Sequence, residues 1–211
     1  MARYFVTGTD TGVGKTHVTS ALAERGRRRG HRVFAWKPIE TGCPVVDGRR
    51  VGADQEAISS AWQLGPLRGL YRFAKPASPL SAGQAEGSSI SLEELLGVFA
   101  EGASGADIVL VEGAGGWRVS ITPDVDMAEL ARRLCLPIIV VARGGLGTIN
   151  HTLLTVEAIA RDQQEIAAVV LSCHPTDDRE FVAENAREIA RRFTGRVVEL
   201  WGESQVLDTL L

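Results

Sequence analysis

The sequence predicts an α/β fold: a single domain built on a doubly wound, mostly parallel sheet. Three observations point there. Residues 108–111, 138–142 and 167–171 are continuous apolar runs rather than alternating ones, as strands covered on both faces require. Segments with helical periodicity separate these runs. Near the N-terminus, an apolar run breaks into glycines and leads into a further helix, which is the strand, loop and helix order of a phosphate-loop domain.

That first stretch is residues 4–16, Tyr-Phe-Val-Thr-Gly-Thr-Asp-Thr-Gly-Val-Gly-Lys-Thr. A buried strand delivers a loop whose bare N–H groups wrap a polyphosphate, and the following helix turns its N-terminus to the same anion. Lys15 reaches the terminal phosphates and the Thr16 hydroxyl ligates Mg²⁺. The usual first glycine of such a loop falls at Thr9 here, with Gly8 one residue earlier, so the standard pattern is not met literally. A glycine-rich turn that binds nothing is the alternative.

Val18, Ala21 and Leu22 continue the helix, which runs out in Arg25, Arg27, Arg28 and Arg29 before Gly30. Arginines suit the negative end of a helix dipole and glycine suits its stop. Residues 32–36 read as a second strand that delivers Lys37-Pro38 to the rim where ligands sit in a parallel sheet. Residues 40–52 have turn chemistry, with Gly42, Pro44 and Asp47-Gly48, and 53–62 read as a short helix with Asp54 at its start.

Residues 63–90 are the least regular part and predict a functional loop region. Leu92, Leu95, Leu96 and Phe99 mark a helix that stops near Gly102–Gly105. Helices are expected near 126–135, where Asp126 and Glu129 are spaced as a capping pair, and over 148–162 and 178–193. A short strand at 196–200 and a last helical turn complete the chain.

Composition bounds the function. The chain has 211 residues, 45% of them hydrophobic and 23% charged, which is ordinary for one globular domain with a large core. A net charge of −3 carries no nucleic-acid footprint. Three scattered cysteines in no metal-like pattern argue against a disulfide framework and for a reducing compartment. The N-terminus enters the first strand directly and no apolar run approaches a membrane span, so a cytoplasmic, soluble protein is expected.

Three side chains carry the candidate chemistry besides the loop. Glu112 follows the run at 108–111 and opens Gly113-Ala114-Gly115-Gly116, where small residues let backbone approach a ligand; it reads as an acidic metal ligand, or as a polar residue entering a flexible loop. Asp54 reads as a second metal ligand or as an N-cap. Lys37, fixed by Pro38 at a strand end, faces the transferred phosphate or an anionic substrate, or else is a surface lysine. No Ser/His/Asp or Cys/His arrangement is present, so positioning and charge stabilisation are the available catalysis.

Gly8-Thr9-Asp10-Thr11-Gly12-Val13-Gly14-Lys15-Thr16, Lys37-Pro38-Ile39-Glu40-Thr41-Gly42, Asp54, Glu112-Gly113-Ala114-Gly115-Gly116 and Gly145-Leu146-Gly147-Thr148-Ile149-Asn150-His151 together closely resemble the dethiobiotin synthetase family over residues 3–173. The resemblance implies a homodimer that takes 7,8-diaminononanoate, CO₂ and ATP with Mg²⁺ and closes a cyclic urea. It places Lys15 and Lys37 on the carbamate and γ-phosphate oxygens, Thr11 and the 12–16 backbone on phosphate, and Thr16, Asp54 and Glu112 on Mg²⁺. It implies nucleotide contacts from Gly113, Ala114 and Gly115, and substrate contacts from Thr41 and, across the dimer interface, Asn150.

The chain also departs from that family. Ser172-Cys173 stand where an asparagine commonly reads adenine, and a hydroxyl lacks the paired donor and acceptor of an amide. Leu80 stands where a histidine often occurs, and no base-contacting loop is recognisable in 199–204, so base preference stays open. Two other classes share the loop and sheet. An amidating synthetase would bring a glutaminase domain with a nucleophilic cysteine, and a partitioning-type nucleotide switch would carry an early lysine where Asp10 stands.

Overall fold

The computed structural model describes residues 2–60, 71–202 and 205–211. In chain order the elements are β1 (Arg3–Gly8), α1 (Lys15–Arg28), β2 (Val33–Trp36), β3 (Ile39–Thr41), β4 (Val45–Val46), β5 (Arg49–Arg50), α2 (Ala53–Ser60), β6 (Tyr71–Phe73), α3 (Pro79–Ala85) and α4 (Leu92–Ala103). They continue as β7 (Ile108–Gly116), α5 (Met127–Leu134), β8 (Ile138–Arg143), α6 (Thr148–Arg161), β9 (Ile166–Cys173), α7 (Arg179–Ala190), β10 (Val197–Trp201) and a 3₁₀ helix, Gln205–Leu210.

Six strands form one parallel sheet in the order β10-β9-β8-β1-β7-β2. The chain leaves β1 in one direction, fills β2 and β7, and then crosses to the other side of β1 for β8, β9 and β10. The strand order therefore reverses at β1, and a ligand crevice belongs at the carboxyl ends of β1, β7 and β8.

The apolar runs are continuous because successive residues serve opposite faces. Val109 and Val111 of β7, with Ile138 and Val140 of β8, join Phe5, Leu95, Met127, Leu130, Ile159 and Val182 under helices α4–α7. Ile108 and Leu110, with Ile139 and Val141, join Val18, Leu22, Ile58 and Leu207 under α1, α2 and the 3₁₀ helix. Each face is dry, so no polar residue alternates with the apolar ones.

At the edge of the sheet, Phe34 of β2 stacks on Trp36 with ring centroids 5.9 Å apart, and its ring fills the space where Gly102 of α4 lacks a side chain. A Cβ on Gly102 would lie 2.2 Å from that ring, so glycine here is a packing requirement. Phe34→Ala is expected to lower the free energy of unfolding by about 3–5 kcal/mol, read as a shift of the urea midpoint. A change within the ±0.5 kcal/mol usual for surface sites would contradict this packing.

Several boundaries differ from the sequence reading. The expected loop at 40–52 contains β3 and a hairpin of β4 and β5, whose turn is Asp47-Gly48 with φ of 50° and 74°. Glycine and aspartate tolerate that backbone, and it matches the twist of paired strands. The irregular 63–90 region holds β6, paired in parallel to β3, and α3, which starts at Pro79 under a Ser78 cap. These elements are too short to show a period. The end of the helix expected over 53–62, and the Gly65-Pro66 turn, lie outside the described residues. Asp126 does cap α5, accepting the Glu129 N–H at 2.9 Å, while the Glu129 carboxylate goes to Arg132 and Arg133 instead of returning to the cap.

Candidate functional site

A cavity of about 450 Å³ opens at the reversal point of the sheet. Its floor is the loop between β1 and α1. Gly14 precedes the helix at φ 96°, and α1 begins without a side-chain cap and without an acidic residue in its first turn. The first N–H groups of the helix and the positive end of its dipole thus face the cavity unopposed, as an anion site requires.

Lys15 lies along this loop and is buried, with Nζ donating to the Asp10 carbonyl at 3.0 Å. Burial holds its ammonium below the ordinary lysine range; the Glu112 charge opposes that shift and Lys37 adds to it. The Asp10 carboxylate accepts the Thr11 N–H at 2.7 Å and fixes the loop tip. Sequence reading missed this role of Asp10, although a short carboxylate next to a glycine turn is a recognisable signal.

Beside the loop stands a charge cluster in which Lys37 and Glu112 are buried and Asp54 is half-buried. Glu112 is fully buried; its Oε1 accepts from the Thr16 hydroxyl at 2.8 Å and from Lys37 Nζ at 2.9 Å. Lys37 also donates to Asp54. Burial pushes the Lys37 ammonium down, but Glu112 and then Asp54 outweigh it, leaving the group raised and firmly charged. The segment after β2, strand β7 and helix α2 therefore meet at one ammonium.

The two bland alternatives fail here. Glu112 does not enter a flexible loop: β7 continues through Gly116, with Val6 paired to Glu112, a register shift, and Gly8 paired to Gly116. Asp54 is not the cap of its helix, because its side chain turns to Lys37. The cap is Glu40 of β3, whose Oε1 and Oε2 accept the Asp54 and Gln55 N–H groups at 3.0 and 2.8 Å. Nothing local in the sequence signals a cap that comes from a separate strand.

Thr16, Asp54 and Glu112 offer hard oxygens of the kind Mg²⁺ takes, and the buried Glu112 Oε2 has no hydrogen-bond partner. Two carboxylates and a hydroxyl leave positions for phosphate and water, which is how Mg²⁺ is usually held beside a nucleotide. Among the described residues, no group of three or more His, Cys, Asp or Glu converges as a metal cage.

Of the other expected site residues, Thr11, Gly12, Thr41, Ala114 and Gly115 line the cavity with the charge cluster. Val13 is buried against Gly8, Gly113 packs on the Phe5 ring, and neither lines the cavity. Asn150 is exposed on the first turn of α6, outside the cavity lining. Ser172 and Cys173 do not line it either. Ser172 abuts the loop from beneath, placed so that a Cβ on Gly14 would come within 2.3 Å of its hydroxyl oxygen. Cys173 donates to the Leu171 carbonyl at 3.2 Å, and burial pushes its thiol up to about 12, which leaves it inert as a nucleophile at neutral pH. No helix among the described residues is long and apolar enough to cross a membrane.

A family model described as an AAA domain matches residues 2–203. The chain is 43% identical over 193 residues to the ATP-dependent dethiobiotin synthetase of Anaeromyxobacter dehalogenans strain 2CP-C, an alignment that covers 90% of this chain and 85% of that one. It is 36% identical over 203 residues to the synthetase of the same name from Xanthomonas campestris pv. campestris strain B100, covering 94% and 88%. Among solved structures, the MinC:MinD cell division complex of Aquifex aeolicus superimposes with a TM-score of 0.55 over 100% of this chain and 85% of that one, at 13% identity. That last likeness shows the shared fold alone.

Proposed function

Because this chain belongs to the ATP-dependent dethiobiotin synthetase family, we propose that it closes the cyclic urea of dethiobiotin from 7,8-diaminononanoate, CO₂ and ATP with Mg²⁺. The observation that carries the reading is the pair of buried lysines, Lys15 and Lys37, lining one cavity with the glycine loop that precedes α1. One amine of the diamine takes up CO₂ as a carbamate and releases a proton. A carbamate oxygen then attacks the γ-phosphorus and displaces ADP, and the second amine attacks the mixed anhydride, forming the ring and expelling phosphate. No protein nucleophile is needed, in keeping with the inert Cys173.

In this reading the N-terminus of α1, the 12–16 backbone and Thr11 hold the phosphates. Lys15 leaves the Asp10 carbonyl for the γ-phosphate oxygens, and Lys37 faces the charge shared between carbamate and phosphate in the transition state. Thr16, Asp54 and Glu112 hold Mg²⁺, which supplies neutralisation of the phosphate oxygens when bound. Gly113, Ala114 and Gly115 let the nucleotide approach the end of β7. Thr41 contacts the diamine from the cavity wall.

A homodimer brings Asn150 to the partner's substrate. Leu146, 90% exposed, and Leu154, 57% exposed, flank it and give that face apolar surface to cover. The base end of the site is the open part: Ser172 and Cys173 present no amide, and residues 203–204 lie outside the described residues. The cytoplasm is the expected compartment.

The test is phosphate release from ATP, and in parallel from CTP and GTP, with and without diaminononanoate in bicarbonate buffer containing Mg²⁺. Diamine-dependent release with formation of dethiobiotin is expected, and the ranking of nucleotides reads out the Ser172 substitution. Slow release indifferent to the diamine overturns the proposal.

A further inference from the structure

Resting on the reading of Asp54 as a metal ligand, we infer that Glu40 is a positioning residue that sets the affinity of the site for Mg²⁺ by holding the N-terminus of α2. The two N–H groups it accepts are among the four that the start of a helix leaves unpartnered. They belong to Asp54 itself and to the residue after it, so the Glu40 carboxylate fixes the backbone from which the Asp54 side chain projects.

The other anchors of the helix lie at and beyond Gln55. In the described part of α2 only Gln55 and Ile58 are buried, and the Asp54 side chain is 45% exposed. Gln55 extends the same clamp: its Nε2 donates to the Lys37 carbonyl at 3.1 Å and to the Tyr71 carbonyl at 3.3 Å, and its Oε1 accepts from Arg72. Glu40 lies three residues beyond Lys37, so one short segment carries both the ammonium that pairs with Asp54 and the carboxylate that places Asp54. Glu40 is itself 8% exposed and lines the cavity wall, with both oxygens occupied by the helix.

Gly52 completes the device. A Cβ there would lie 2.7 Å from Glu40 Oε2 and 2.9 Å from Gln55 Oε1, so the absence of a side chain is what allows the carboxylate to reach the helix. Groups that orient a metal ligand characteristically change metal affinity by about 10–100-fold when removed.

The experiment is a set of calorimetric ADP titrations at a series of Mg²⁺ concentrations and in EDTA, on wild type, Glu40→Gln, Glu40→Ala, Gly52→Ala, Asp54→Asn and the Glu40→Gln/Asp54→Asn double variant. Expected is a rise of about tenfold in the Mg²⁺ concentration that half-maximally tightens ADP binding for each Glu40 and Gly52 variant, with ADP affinity in EDTA unchanged. The double variant should equal Asp54→Asn, because Glu40 acts through Asp54. If Glu40→Gln lowers the melting temperature but leaves the Mg²⁺ response as in wild type while Asp54→Asn shifts it, Glu40 is structural and the inference fails. If Asp54→Asn itself leaves the response unmoved, the reading of Asp54 as a ligand fails instead. Glu40→Gln keeps the volume of the side chain, so it remains informative should Glu40→Ala not fold.

Discussion

Lys37→Ala is expected to reduce dethiobiotin formation by at least about 10²-fold, since one charge donor aimed at the reacting centre is worth that much, while ADP still binds. The substitution has a second effect of known sign. It strips the buried Glu112 of its cation, and breaking a buried pair by removing one partner characteristically costs about 3–5 kcal/mol. The melting temperature should therefore fall in the absence of metal, and Mg²⁺ with ADP should restore more of it than in wild type, because the cation takes over the neutralisation of Glu112. Steady-state turnover and melting curves with and without Mg²⁺·ADP measure both effects. Near wild-type turnover would remove Lys37 from the reacting centre, whatever the melting curves show.

Gly14→Ala should nearly abolish nucleotide binding. Two independent reasons apply. The residue sits at φ 96°, a conformation that L side chains rarely adopt, and the added Cβ would stand 2.3 Å from the Ser172 hydroxyl oxygen and 2.8 Å from its Cβ. Relief of either contact moves the N-terminus of α1, whose open N–H groups hold the phosphates in the proposed reading. Backbone strain of about 1–3 kcal/mol alone corresponds to roughly 5–150-fold in ADP affinity, and displacement of the donors adds to it. In the double variant Gly14→Ala/Ser172→Gly the steric part should be relieved and the conformational part retained, giving partial rescue by calorimetry. An ADP affinity for Gly14→Ala equal to wild type would show that the loop does not hold the phosphates.

These two residues illustrate how far the chain could be read before its fold was seen. The glycine at 14 is legible locally, as part of a strand, loop and helix whose order has one chemical use. Its contact with Ser172 is not, because 158 positions separate residues that become neighbours only when β9 lies near β1 in the sheet. Ser172 stands out only against the family the chain resembles, where an amide able to read a base is common. In the structure its side chain occupies the space that a Cβ on Gly14 would need.

Lys37 and Glu112 were legible as single residues at the ends of apolar runs, because in a parallel sheet every strand end of that rim faces the same crevice. That they share a hydrogen bond, with Thr16 on the same oxygen, follows from β7 lying between β1 and β2 in the sheet, which no local pattern states. Asp54 misleads when read alone: aspartate at a helix start is a routine cap, yet here the cap comes from Glu40 on another strand and the aspartate faces Lys37.

The sequence by itself determined the architecture and the strand, loop and helix order at the proposed phosphate end, since period, run length and glycine placement are set by the geometry of consecutive residues. Only the tertiary structure decided the short parallel pair β3–β6, the clamp from Glu40 to α2 and the seat of Ser172 under the loop. Each of these depends on atoms brought together across the chain, where a two- or three-residue strand has no period and a buried carboxylate finds its donors in space rather than in sequence.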